Sequence, residues 1–394
     1  MRDPGLKGFA FFVIAVVLLI SVCHFIDQMH YAQGKEFWLD EKYALKNTIK
    51  GTTYLGLLTK SDDESNAAPL DYLCTKFLDD VKKSVGSFGL SDKVYYRLWA
   101  NFAMLLGGFV VVCLFLRDIL CSPASNPIRL FQMFLLILLP FTYLYRPMTY
   151  HYEAEMRPYA LWFALWLITV GVASLARTRK FLLAMVLSLL AMTMVGSIFQ
   201  ILSVGIAYCG VRWLQNGWKQ AMLETFQIFT VPVVLVVFYA FPAAYGQRML
   251  EPAAAVWHRY SIWWMHEAII IPMLLVSAGI LWRSKRTQAM VIGPISVLIV
   301  LLMGPLILGL TLGRGYFYTE RQYIYYDAHH AVFWLSMINC LPFFLEKIKD
   351  QKKLAWAMAL IFVLWIPFVF TKKTIMSVKE VVHQNFISLD LIKA

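Results

Sequence analysis

The chain has 394 residues, of which 60% are hydrophobic and 15% charged, with a net charge of +12. Soluble domains carry roughly 45–50% apolar and 25% charged residues, so a soluble globular protein is excluded and a polytopic membrane protein is expected. In a soluble chain the basic excess would suggest nucleic acid as a partner, but here loop topology accounts for most of it and no nucleic-acid signal is present.

Apolar runs near the length of a bilayer span recur along the sequence. They predict an all-α transmembrane domain over 1–371 with about eleven helices, no appended soluble domain, and a tail at 372–394. In chain order the expected spans are 7–26, 97–116, 128–145, 158–176, 181–195, 198–214, 221–244, 268–282, 289–312, 328–345 and 354–371. The run 7–26 ends in "CHFIDQMH" without a small-x-small cleavage pattern, so it reads as a first span rather than a signal peptide. The pair around "MVGSIFQ" is short and shares a tight Gly-Ser turn, and losing one member would invert everything downstream.

Lys and Arg set the orientation. "MRDPGLK", the loop holding Arg117 and Arg129, "RTRK", the turn with Arg212 and Lys219, "RSKR" and "EKIKDQKK" all fall on one side, which the positive-inside rule makes cytoplasmic. The first loop, 27–96, is then extracytoplasmic, and a bacterial plasma (inner) membrane is the expected location. Of the six cysteines only Cys74 is clearly outside the membrane and the cytosol, so a disulfide framework is not expected.

Within that loop, "FWLDEKYAL" sets Asp40 and Glu41 behind an apolar run. Tyr43, Leu45 and Ile49 give a short amphipathic helix ending near Gly51. After the polar break "SDDESNAA", a second helix starts at Asn66 or Pro69. Leu70, Leu73, Phe77, Leu78, Val81 and Val85 share one face, and Asp71, Lys76, Asp79, Lys82 and Lys83 take the other, as in a helix lying in the membrane plane. From these residues alone, Asp40 and Glu41 are either first-turn acids stabilising a helix dipole or a catalytic pair.

Three segments carry a resemblance. "FWLDEKYAL", then "APLDYLCTKFL" with "FGLSDKVYYRLWANFAMLLGG", then "YHYEAEMRPYALWFALWL" occur in order over roughly the first 180 residues. They are similar to the motifs of GT-C fold glycosyltransferases that use lipid-linked sugars, the group of protein mannosyltransferases and aminoarabinose transferases. "YTERQYIYY" is a fainter echo of a late segment. The chain departs from the pattern at Ala68-Pro69-Leu70-Asp71-Tyr72, at Met156 before Arg157, and in lacking a late proline. The resemblance implies an inverting transferase moving a sugar from a polyprenyl-phosphate donor to a glycan, lipid or protein acceptor hydroxyl on the extracytoplasmic face. It implies Asp40 as general base, with Glu41 the substitute. The acceptor must lose a proton, whereas a phosphate leaving group is already a stable anion and needs no acid.

The short outer loops carry Arg146, Arg157, Arg248, Arg259, Arg314 and Arg321 and no lysine. Guanidinium forks match phosphate oxygens, so Arg157 first, then Arg321, Arg314 and Arg248, are candidates to hold the lipid phosphate, with Tyr159, His151, Glu155 and Tyr323 lining the site. The same arginines can instead pair with Glu153, Glu155 or Asp327, or snorkel to headgroups. Outward histidines lack close ligand spacing except His329-His330, which point apart on a helix, so no metal cofactor is expected. The Tyr and Trp clusters read as an interfacial belt. Rival classes are a transporter or flippase, which would need midplane charges and internal repeats, and an O-antigen ligase or polymerase type of transferase, whose large outer loop would come late.

Overall fold

The computed structural model describes residues 4–59, 69–174, 179–194, 196–246, 295 and 323–369. All regular structure among them is helical. The helices, numbered in order, are α1 Pro4–Gly34, α2 Leu39–Tyr43, α3 Tyr54–Thr59, α4 Pro69–Val85, α5 Asp92–Tyr95, α6 Leu98–Cys121 and α7 Asn126–Leu138. They continue as α8 Pro147–Glu153, α9 Tyr159–Ser174, α10 Lys180–Ala191, α11 Ser197–Asn216, α12 Trp218–Gly246, α13 Tyr323–Leu345 and α14 Gln351–Val369. A π turn, Ala44–Ile49, extends α2, and a 3-10 turn, Leu139–Thr142, ends α7 around Pro140.

Five of these helical segments are long and apolar enough to cross a membrane: Pro4–Gly34, Asp92–Cys121, Ser197–Asn216, Trp218–Tyr239 and Asp327–Leu345. The expected spans at 128–145, 158–176 and 181–195 are shorter apolar helices. The expected spans 268–282 and 289–312 and the tail 372–394 lie outside the described residues, apart from Ile295. Large apolar side chains face outward along the bundle, among them Phe11, Leu19, Phe226, Val234 and Leu360. So much exposed apolar surface belongs against lipid rather than water.

α1 shows how the sequence builds this packing. Its buried residues are Leu6, Ala10, Val13, Val17, Ser21, His24, Gln28 and Ala32, a stripe spaced three and four apart. The first half is apolar and meets α6 and α7; the second half is polar and receives α8. α9 is the centre of the bundle. Its residues from Ala160 to Leu167 are all buried, and it packs on α6, α8, α10, α11 and α13. The approach of α6 depends on Gly107, where an added Cβ would sit 2.6 Å from the Cα of Ala164.

Hydrogen bonds gather the helix ends. Gln28 donates to the Tyr150 carbonyl (3.1 Å), the Leu70 amide to Met192 O (3.1 Å), Tyr239 OH to Leu58 O (2.8 Å) and Thr149 to Asp327 (2.8 Å). The end of α1, the start of α4, α8, the α10–α11 turn, the later part of α12 and the start of α13 therefore meet at one end. The pair around "MVGSIFQ" is two helices, and its turn lies at this end.

The loop helices form a small structure of their own. Ala44, Ile49, Tyr95, Tyr96 and Met156 are buried together, with Phe37, Leu45, Tyr72 and Leu78 against them. α4 is seated in an unexpected sense. Pro69, Asp71, Thr75, Lys76 and Asp79 are buried against the protein, while Phe77 and Val85 are 60% and 64% exposed. Part of its polar side therefore faces the protein, and Phe77 and Val85 are left free to meet a bilayer, while Leu70, Tyr72 and Leu78 pack inward.

Candidate functional site

The site grows from one buried ion pair. Arg97 and Glu41 have no exposed side-chain surface and meet at 2.8 Å between Nη2 and Oε2. Arg97 stands at the start of α6, and all five of its N–H groups are used. Two go to Glu41, at 3.1 and 2.8 Å, and the rest to the carbonyls of Ala32 (2.9 Å), Lys35 (2.7 Å) and Glu36 (3.0 Å). These carbonyls terminate α1, where unpaired acceptors and the negative end of the helix dipole favour a cation. The guanidinium also lies over the Phe37 ring, 5.0 Å from its centroid.

Glu41 uses both oxygens as well. Oε2 accepts from the Trp38 amide (2.8 Å), the reach-back bond of a third-position acid to the residue that opens its helix. Oε1 accepts from the Met156 amide at 2.6 Å. One carboxylate thus ties the first loop motif to Arg97 of the second motif and to Met156 of the third. Glu41 is enclosed, and its lone pairs are committed to these donors. Asp40 is the second residue of α2, with its backbone one position away; its side chain lies outside the described part of the structure.

A second network joins α1 to the 151–155 segment. Lys35 Nζ reaches Glu155 Oε1 (2.8 Å), the His151 carbonyl (2.7 Å) and His151 Nε2 (3.3 Å), while His151 Nδ1 meets Tyr31 OH at 2.9 Å. An ammonium only donates, so Nε2 accepts and the ring proton sits on Nδ1, pointing at the tyrosine oxygen. Burial, helped by the charges of Lys35 and Arg97, pushes His151 down to about 4, so the ring is neutral at physiological pH. Burial also lowers Lys35 and raises Glu155, and their mutual attraction opposes both shifts. Deeper, His24 and Glu153 meet at 2.8 Å, and Tyr150 OH donates to Asp27 (2.8 Å).

Next to these networks, Trp38, Tyr152, Glu155, Arg157 and Tyr159 line a narrow cleft whose water-accessible volume is about 10 Å³. That is room for about one water and not for a sugar. Arg157 precedes α9, so its guanidinium and the positive end of the central helix share one neighbourhood. A further carboxyl comes within electrostatic reach of Arg157 from α4. Asp71 is 3% exposed and its Oδ2 has no hydrogen-bond partner; burial, opposed by Arg157, raises its pKa from 3.8 to about 7.

Of the residues predicted for the site, Glu41, His151, Glu155, Arg157 and Tyr159 come together here. Tyr323 begins α13, with its side chain outside the described part, and Arg248, Arg314 and Arg321 lie outside the described residues altogether. Arg146 bonds His330 at 2.9 Å and approaches Asp327 at 4.0 Å, while His329 meets Gln200 at 2.9 Å, so the two histidines do turn to different partners. Among the described residues no three His, Cys, Asp or Glu side chains group to hold a metal. Sequence reasoning missed Arg97, Lys35, Tyr31 and Asp71. A charge at the mouth of an apolar run, as Arg97 is, costs several kcal/mol in lipid unless paired, and that was the available signal. No protein-family model, curated protein or solved structure matches the chain.

Proposed function

We propose that this protein is an inverting membrane glycosyltransferase that moves a sugar from a polyprenyl-phosphate donor to an acceptor hydroxyl on the extracytoplasmic face. The observation that carries this reading is the convergence of the three motifs on Glu41, which binds Arg97 and the Met156 amide while holding α2 beside the Arg157 cleft. In this reading the adjacent acids divide the work. Glu41 fixes the loop, and Asp40 removes the acceptor proton as the hydroxyl attacks the anomeric carbon from the side opposite the phosphate. A positioned base of this kind contributes about 10²–10⁴ in rate.

Arg157 then holds the departing phosphate, helped by the α9 dipole. The raised pKa of Asp71 favours this, because below pH 7 the carboxyl is mostly neutral and does not compete with phosphate for the guanidinium. Donor entry widens the cleft by moving Trp38 or Tyr159. The extracytoplasmic setting rests on the distribution of Lys and Arg, which puts the α2–α5 loop opposite the basic segments.

The test is transfer by purified protein given a panel of polyprenyl-phosphate sugars. Asp40→Asn is expected to lose at least a hundredfold in turnover with an unchanged unfolding temperature, and Arg157→Gln to lose donor affinity. Glu41→Gln is expected to lose the fold as well, since removing one partner of a buried pair costs about 3–5 kcal/mol. Full turnover by Asp40→Asn would remove that residue from the mechanism.

A further inference from the structure

Basic segments far apart in the sequence meet at the end of the bundle opposite the loop helices. There α1, α6 and α7 leave a groove of about 350 Å³. Its walls include Ala10, Phe11, Ile14, Leu116 and Leu120, and Lys7, Arg117 and Arg129 also line it. Because Lys7 is in the first turns of α1, Arg117 in the last turns of α6 and Arg129 in the first turn of α7, the three cations gather at one mouth of an otherwise greasy channel.

Among the described residues no acidic one lines the groove. Asp118 follows Arg117 in sequence but stays out of the lining. Among the described residues none of the three cations is in an ion pair. Arg129 uses Nη2 on Asn126 Oδ1 at 2.5 Å, while its Nε is buried without a hydrogen-bond partner. The groove opens along α1 to the outer surface, where Phe11 is 72% exposed. Its size falls in the usual range for pockets that enclose small ligands.

We propose that this groove binds one diacyl phospholipid with an anionic headgroup, its phosphate among Lys7, Arg117 and Arg129 and an acyl chain along α1 and α6. A water-soluble anion would gain nothing from Ile14 or Leu116, and a zwitterionic headgroup would bring its own cation to three others. The combination of three clustered cations and an apolar wall therefore selects a charged lipid. The site is separate from the Asp40 loop and does not depend on the reaction proposed for it.

Native mass spectrometry of the full chain in mild detergent, titrated with dioleoyl-phosphatidylglycerol or dioleoyl-phosphatidylcholine, tests this. Phosphatidylglycerol is expected to fill a first site that phosphatidylcholine does not. Each of Arg117→Gln and Arg129→Gln should weaken it about fivefold and the pair more than tenfold. Ile14→Trp, which fills the channel and keeps every charge, should weaken it too, with circular dichroism confirming that the variants fold. Unchanged phosphatidylglycerol binding in the double variant, equal retention of phosphatidylcholine, or displacement by millimolar inorganic phosphate would each overturn the proposal.

Discussion

At the scale of single residues, Glu41 of the first-loop acidic pair is defined by its burial. Glu41 disappears into a pocket of donors, each of which is a backbone amide or the one arginine placed to receive it. Asp71 is the converse case, an acid buried with an oxygen unsatisfied. Its raised pKa makes a signed prediction. Below about pH 4 the carboxyl is neutral folded or unfolded and costs nothing. As pH rises towards 7 the unfolded chain ionises and the folded one does not, so stability falls, by roughly 4 kcal/mol at most, and the loss is complete above pH 7. Asp71→Asn should therefore raise the unfolding temperature over the parent at pH 8 and barely at pH 4.5, read by thermal scans in one detergent. The sequence made Asp40–Glu41 conspicuous but not the burial of Glu41, because that depends on Arg97, fifty-six positions away. Lys35 was invisible for the same reason: its partners lie in a segment more than a hundred residues away.

At the scale of elements, hydropathy placed helices where the described residues have them, five of them long enough to span a membrane, and the start of α4 at Pro69 was one of the two expected. Its orientation was not legible. Helical spacing separates two faces but does not say which one seeks the protein, and in a membrane setting the apolar face has lipid as an alternative partner. Close packing was equally hidden, because a glycine in an apolar run carries no pattern until its neighbour is known. Gly107 is such a case. Gly107→Leu would drive a side chain into the backbone of α9 and should cost about 1–3 kcal/mol or more, seen as a lowered unfolding temperature with α-helix content retained at low temperature. The conservative Gly107→Ala should show the same sign with a smaller shift.

At the scale of the whole molecule, the described helices alternate so that the loop elements gather at one end and the basic starts and ends of α1, α6 and α7 at the other. Charge counting assigns the first end to the outside. In a background without native cysteines, a cysteine replacing exposed Ser84 should react with a membrane-impermeant maleimide on intact cells, and one replacing exposed Ser125 only after permeabilisation. The reverse pattern would turn the molecule over and take the proposed chemistry to the cytosolic face. Five spans were readable because each is one long apolar run; how the helix ends lock together was not, since His24, Gln28 and Lys35 look like scattered polar residues until α8 lies across them.

The reversed seating of α4 has one last implication. With Asp71 and Thr75 turned inward and Phe77 outward, α4 carries a buried carboxyl into electrostatic reach of Arg157 on one flank and leaves an aromatic ring uncovered on the other. In a bilayer, acyl-chain length and lateral tension would act on that ring, and through the helix on where Asp71 stands relative to the guanidinium.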